Sequence, residues 1–255
     1  AINYGELSLY SVVDPYFDLF AVLHLAPEHA GLEEVYFTTR QLPYGFQLKA
    51  GKFLSGFGRL NEQHNHTLDF ADRPLILTSF FGNEGFNEVG TRLTWVAPLN
   101  FYLMFGAEAL MGENEQSFGR AGIADPYGNV ALSNIENPSL AVGYIKSSFD
   151  LEEVSVLIGT SVAQGKFRHD HEFSNSEEPT GKAIDGSTTL WGTDLTIKYT
   201  VDPIRLISFQ TEFLHRTISG TLFERETTTV SSSPVKLIHS GFYAQLVAKT
   251  GLRWR

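Results

Sequence analysis

The sequence predicts an all-β protein built from one antiparallel sheet. Polar and apolar residues alternate with a period of two through most of the 255 residues, which is typical of strands that have one apolar face. In segment 101–111, every second residue from Phe101 is apolar, whereas Tyr102 and Glu108 lie on the other face. No segment shows a helical stripe. The expected strands are 3–13, 15–26, 32–42, 45–54, 87–97, 100–111, 139–149, 152–164, 188–201, 204–218 and 237–249, with a twelfth beginning at Thr250.

Tight turns and long connections alternate between these strands. The long connections are 55–86, 112–138, 165–187 and 219–236. Alternate connections of an up-and-down sheet lie at opposite ends, so the tight turns share one end and the long loops the other. This asymmetry is typical of a transmembrane antiparallel up-and-down β-barrel with short periplasmic turns and long external loops. We therefore expect one barrel domain over residues 1–255, located in the bacterial outer membrane.

Composition agrees with this prediction and excludes other classes. The chain has no cysteine, so neither a disulfide scaffold nor a thiolate metal site is expected. A net charge of −10 argues against nucleic-acid binding. Aromatic residues such as Phe17, Trp95 and Tyr199 lie close to the tight turns, as in the aromatic girdle of a barrel. About twelve strands are visible, and the chain ends inside an alternating segment. We therefore expect part of a longer chain of 16 to 18 strands.

The polar face of the strands is expected to line the lumen. It carries both signs of charge, which is consistent with a hydrated wall. The residues assigned to it are Asp18, Glu34, Arg40, Lys49, Arg92, Glu108, Asp194 and Lys198.

Segment 59–74, with the sequence RLNEQHNHTLDFADRP, is the most charged part of the first long connection. Opposed charges across a narrow opening select solutes by size and charge. We therefore expect connection 55–86 to form a constriction. The residues expected to contact solute are Arg59, Glu62, His64, His66, Asp69, Asp72 and Arg73.

Two His-x-His pairs are candidate ligands for a loop-bound divalent metal. They are His64 with His66 and His169 with His171. Imidazole nitrogens on one side of an extended chain suit zinc or copper, although neither pair has a fixed third ligand. Solvated loop residues are the alternative interpretation. No cofactor is otherwise expected, and the sequence contains no catalytic motif, so we expect no enzyme.

The segment from Leu32 to Ile76 resembles the phosphate-selective (polyphosphate) porins. Three parts of the segment carry the resemblance: residues 34–36 before a tight turn, the glycine-containing strand 49–58, and the end of the loop at 70–74. The segment is more similar to an uncharacterised proteobacterial branch of that family with an FGxxNEQHxHxxDFxDxP core. The resemblance implies a usually trimeric diffusion pore with a loop folded into its lumen. The chain has too few basic residues for the family's phosphate selectivity, so a cation-preferring or weakly selective pore is expected.

The function predicted from these observations is passive diffusion of small hydrophilic solutes or ions through an outer-membrane porin. Its expected partners are membrane lipid, lipopolysaccharide, the permeating solutes and further copies of the chain. Two alternatives remain open: an outer-membrane receptor or metal-uptake protein that uses its His-rich loops, and a soluble glycan-binding β-sandwich.

Overall fold

The computed structural model describes residues 5–26, 29–202 and 204–251. Eleven strands form one antiparallel sheet in which nearly every strand pairs with its neighbours in sequence. A separate two-stranded sheet, β7–β8, is inserted between β6 and β9. The all-β, up-and-down fold class expected from the sequence is confirmed.

The strands differ in length by more than twofold. The shorter strands of the main sheet are β1 (Gly5–Val12), β2 (Phe17–Ala26), β3 (His29–Thr39), β4 (Phe46–Leu54), β5 (Asn87–Val96), β6 (Tyr102–Leu110) and β9 (Leu140–Leu151). The longer ones are β10 (Val154–His171), β11 (Thr180–Thr200), β12 (Leu206–Glu226) and β13 (Thr229–Lys249). The small sheet consists of β7 (Ile123–Ala124) and β8 (Ala131–Leu132).

Two of the four long connections expected from the sequence are wrong. Segments 165–187 and 219–236 continue the strand ladders, so the real connections are only 172–179 and 227–228. Polar residues dominate both segments and hide the strand from a hydrophobic pattern. The twelfth strand expected from Thr250 lies mostly outside the described residues.

A helix that the sequence pattern does not predict lies within 55–86. Helix α1 (Leu75–Phe81) follows Pro74 and ends at Gly82, whose φ of 77° breaks the helix. Its buried residues Leu77, Phe80 and Phe81 are spaced three and four apart, so one helical face enters the core. Seven residues are too few to give a recognisable periodic stripe.

The main sheet has one apolar and one mixed face. Residues directly opposite one another on paired strands point to the same side. The outward residues are exposed and apolar; they include Leu93, Phe105, Ile145, Ile158, Trp191, Phe209, Phe242 and Leu246. Near the tight turns, Trp95 stacks between Phe46 and Phe105, with ring centroids 6.2 and 5.6 Å away.

The other face surrounds connection 55–86. Backbone and side chains of this segment contact inward residues of β3, β6, β9 and β12, and Ile76 lies against Gly241 of β13. Since one 32-residue segment reaches strands so far apart in the sheet, the sheet must curve around it. A cluster rich in aromatic residues fills the space between them, with Phe86 stacked between Phe81 and Phe118 at 4.8 and 5.5 Å.

Candidate functional site

The centre of the inner face is a guanidinium held by four groups. Arg92 of β5 donates from Nε to Glu108 at 2.6 Å and from Nη1 to Glu62 at 2.8 Å. Its Nη2 donates to the carbonyl of Leu54 at 2.5 Å, and the guanidinium lies 4.8 Å from the centroid of Phe53. The planar fork of arginine suits such multiple contacts, so Arg92 joins the wall to connection 55–86.

Glu62 joins the connection to a second cation. Its other oxygen accepts a 2.8 Å hydrogen bond from the ammonium of Lys146 on β9. Burial opposes the charged form of Glu62, but Lys146 and Arg92 outweigh it and keep the pKa of this carboxyl below its ordinary value. Glu62 is therefore a carboxylate bridging two strands of the wall.

Inward carboxylates of the wall also accept backbone N–H groups of the connection. Glu108 accepts from Gly56 at 2.9 Å, and Glu212 of β12 accepts from Arg59 at 3.0 Å and from Leu60 at 2.8 Å. Hydrogen bonds from N–H groups to a carboxylate are charge-assisted and therefore strong. These bonds fix the backbone path of 55–60 across the sheet.

A histidine fastens the next part of the connection. His64 contacts Glu33 through Nδ1 at 3.1 Å and Glu34 through Nε2 at 2.8 Å. These hydrogen bonds, with that to Glu34 the largest effect, raise the pKa of His64 to about 9 despite partial burial. The neighbouring His66 contacts Glu6 of β1 at 3.1 Å. His64 is thus an imidazolium, because two carboxylates face its two ring nitrogens.

This arrangement is unfavourable for the metal site expected at His64 and His66. A metal ligand must offer a free ring nitrogen, and both nitrogens of His64 face carboxylates. His169 and His171 lie on β10 itself instead of in a loop. Within the described ranges, no group of three or more His, Cys, Asp or Glu residues has the geometry to hold a metal ion.

The remaining residues expected to contact solute are Asp69, Asp72 and Arg73. Asp69 and Asp72 are exposed, and Arg73 donates to the carbonyl of Gln63 at 2.9 Å. The charged segment is therefore divided. Arg59, Glu62 and His64 contact the wall through backbone or side chain, whereas Asp69 and Asp72 are exposed.

The expected lumen residues lie on the inner face with one qualification. Cross-strand pairing places Asp18, Lys49, Arg92 and Glu108 on one continuous row through Thr38. Glu34, Asp194 and Lys198 occupy inward positions of their strands as well. Arg40 instead lies just beyond β3 and forms a 3.6 Å ion pair with Asp18.

Sequence reasoning missed several contact residues. Lys146 alternates in phase with the buried Leu140, Val142 and Tyr144, and this signal could have placed it on the inner face. Glu33 gives no such signal, because a register shift after Val22 turns it toward His64 together with Glu34.

Two cavities remain on the tight-turn side of the connection. One has a volume of about 250 Å³ and is lined by residues that include Lys49, Arg92, Thr94 and Tyr144. The other, of about 130 Å³, is lined by residues that include Arg59, Lys146, Ser148 and Asp194. Glu62 lies on both, so this carboxylate separates two small polar spaces at the inner face.

A second inserted connection covers the inner face toward the long-loop end. Glu88 of β5 accepts three backbone N–H groups from 112–114, at 2.7 to 3.0 Å. Arg216 of β12 donates to the Gln116 carbonyl at 2.6 Å and to Ser117 at 2.9 Å. Side chains of the strands thus bind the backbone of this connection as they bind that of connection 55–86.

Fold and site together define a class: an up-and-down antiparallel sheet with an apolar outside and a charged inner face occupied by an inserted segment. No protein-family model matches the chain. A protein of Aquifex aeolicus (strain VF5), described as "Uncharacterized protein", is 46% identical over 254 residues and covers all of this chain. The chain spans 52% of that protein's length, about half.

Solved structures of outer-membrane proteins align with the chain only loosely. In-vitro folded OmpT of Vibrio cholerae has a TM-score of 0.29 at 8% identity, over 96% of this chain and 88% of its own. OccK2 (OpdF) of Pseudomonas aeruginosa has a TM-score of 0.26 at 10% identity, over 97% and 92%. Scores this low carry no argument about the present chain. Separately, the described residues contain no helix long and apolar enough to cross a membrane.

Proposed function

We propose that this protein forms an outer-membrane channel for passive diffusion of small hydrophilic solutes. The observation that carries the proposal is the position of connection 55–86 on the charged concave face of the sheet. A segment held there narrows the enclosed space without closing the tight-turn end, where two polar cavities remain. This position supports a role for connection 55–86 as a constriction loop.

The outside of the sheet supports a membrane location. Large side chains there are exposed; Phe242 is 71% and Ile158 50% accessible. Exposed apolar area on this scale is costly in water and favourable in lipid. The stacked rings at the turn end fit an aromatic girdle at the membrane surface. Lipid, lipopolysaccharide and further copies of the chain, as in a trimer, are the partners that follow from the proposal.

The inner face supports a weakly selective pore. Around Glu62, the cations Lys49, Arg92, Lys146 and Arg59 face carboxylates of the wall. Because the two signs are interspersed, neither anions nor cations are strongly excluded. The net charge of −10 is thus a poor guide to the charge beside the constriction.

Conductance in planar lipid bilayers tests the proposal. Folded full-length protein is expected to give discrete steps in potassium chloride. Glu212→Gln weakens the attachment of 59–60, so larger and noisier steps are expected. The control is Glu224→Gln, whose side chain pairs with the exposed Lys182 far from the connection. Folded protein without conductance would refute the channel.

The apolar cluster between the connection and the sheet favours one rival, a barrel closed by its own loops that acts as a receptor. Its described core includes Phe57, Phe81 and Phe86, all almost inaccessible. Absence of conductance together with binding of Zn²⁺ or Cu²⁺ in calorimetry would support the metal-uptake form of this rival. Unchanged metal affinity after His64→Ala and His66→Ala would remove these residues from it.

A further inference from the structure

The cavity of about 130 Å³ is lined by charged groups from the sheet and from connection 55–86. Asp194 enters from β11, and Arg59 enters from connection 55–86. The hydroxyl-bearing residues Tyr102 and Ser148 line the space between them. Its volume has room for several water molecules, or for a ligand as large as the smallest amino acids.

Asp194 is buried, and one of its carboxylate oxygens has no hydrogen-bond partner among the described residues. The residue is only 5% exposed, and the oxygen without a partner is Oδ2. Its cross-strand neighbour Glu212 is itself acidic and receives the N–H groups of 59–60, so it offers no donor. A buried carboxylate oxygen without a partner is costly. Something that donates hydrogen bonds therefore suits this position.

Arg59 is the complementary case. Its guanidinium interacts electrostatically with Asp194, yet within the described ranges it forms no ion pair or hydrogen bond. The other two charges of the cavity, Lys146 and Glu62, bind each other at 2.8 Å. Oδ2 of Asp194 and the guanidinium of Arg59 thus have no hydrogen-bond partner among the described residues, and both Lys146 and Arg59 attract Asp194 electrostatically.

Gly159 keeps the space above β10 open for Asp194. A Cβ at this position would lie 2.2 Å from Asp194 Oδ2, so any side chain would displace the carboxylate. The row from Lys146 through Gly159 to Asp194 runs directly across three paired strands. The gap in the middle of this row is therefore occupied by the side chain of Asp194.

We propose that this cavity binds small zwitterions such as α-amino acids, with the ligand carboxylate on Arg59 and its ammonium on Asp194. A guanidinium binds a carboxylate in a two-bond fork, and an ammonium donates hydrogen bonds to the carboxylate of Asp194. A purely anionic ligand leaves Asp194 unpaired, and a purely cationic one leaves Arg59 unpaired. The inference rests on the proposed channel for the route by which such solutes cross.

The test uses four probes of similar size: alanine, propionate, propylammonium and glycerol. Each is added to the full-length protein in bilayers carrying potassium chloride, and the concentration that half-blocks the current is measured. Alanine is expected to block at the lowest concentration. Asp194→Asn and Arg59→Gln should each weaken the alanine block by about tenfold or more, since each removes a charge-assisted hydrogen bond. Asp150→Asn, at an exposed strand end, is the control.

The outcomes separate the two proposals. Conductance with equal effects of all four probes, or an alanine block that neither variant weakens, overturns the zwitterion site and leaves the channel standing. If no conductance is found, the channel fails. Calorimetry of alanine with the detergent-solubilised protein then decides the site: binding lost in both variants upholds it, and no binding to the unmodified protein overturns it.

Discussion

At the scale of single residues, the inner face is organised by carboxylates whose partners are mostly backbone N–H groups. Glu88, Glu108 and Glu212 project from three different strands and each receives at least one N–H of an inserted segment. The sequence shows these residues only as charges on a polar face. It gives no sign that they bind the backbone of the loops, because a backbone N–H group is present at almost every residue and leaves no signal in the sequence.

Replacing Arg92 by methionine should lower the free energy of unfolding by about 3–5 kcal/mol, because the buried Glu108 then loses its cation and the partly exposed Glu62 keeps only Lys146. Chemical unfolding in detergent, followed by circular dichroism, measures the change. The control, Arg205→Met, breaks an exposed pair with Asp202 at a tight turn and should change stability little. Equal effects of the two substitutions would contradict a central role for Arg92.

At the scale of elements, the fold depends on a long connection held to the strands at several separate points. Residues 55–62 form hydrogen bonds with Glu108, Glu212 and Lys146 of the sheet. His64 and His66 contact glutamates of β3 and β1. Periodicity could identify 55–86 as a connection but could not show where it is attached. At the long-loop end, Arg225 of β12 donates to carbonyls of 172, 173 and 175 and so fixes the hairpin tip.

The attachment of His64 should weaken in alkali. Its pKa is about 9 in the folded protein and about 6.5 in an unfolded chain. The stabilisation is therefore complete below about pH 6.5 and is lost as the pH rises through 9. Hydrogen exchange of residues 60–70, compared between pH 6 and pH 10 after correction for intrinsic rates, should show protection falling with pH.

His64→Gln should remove this pH dependence, whereas His171→Gln, on an exposed part of β10, should retain it. Protection of 60–70 that falls equally with pH in the unmodified protein and in His64→Gln would assign the effect to another group.

At the scale of the whole molecule, the apolar outside predicts contact with lipid. Trp95 on β5 and Tyr199 on β11 both lie next to tight turns, at the same end of the sheet. Trp191 lies eight residues before Tyr199 on β11, toward the other end. At about 3.3 Å per residue and a tilt of about 40°, these levels are roughly 20 Å apart, close to the height of the apolar band. The two indoles should therefore lie near opposite membrane surfaces.

Brominated lipids test this placement. Fluorescence of the protein in bilayers should be quenched more by bromine near the headgroups than by bromine at the bilayer centre. Trp95→Phe and Trp191→Phe identify the contribution of each indole. A chain that remains folded without detergent, and whose indoles are not quenched, would instead fit the soluble β-sandwich.

The sequence by itself determined the two faces of the sheet, because side chains of a strand alternate with a period of exactly two residues whatever lies around them. It also determined the order of the strands and the separation of tight turns from the connections 55–86 and 112–138. Tertiary structure alone decided which residues meet. Leu60 and Glu212 are 152 residues apart, and their contact depends on strand register and on the curvature of the sheet around the connection. Neither quantity is encoded in the local pattern at Leu60 or Glu212, so Arg59 and Asp194 could be named from the sequence but not placed across one cavity.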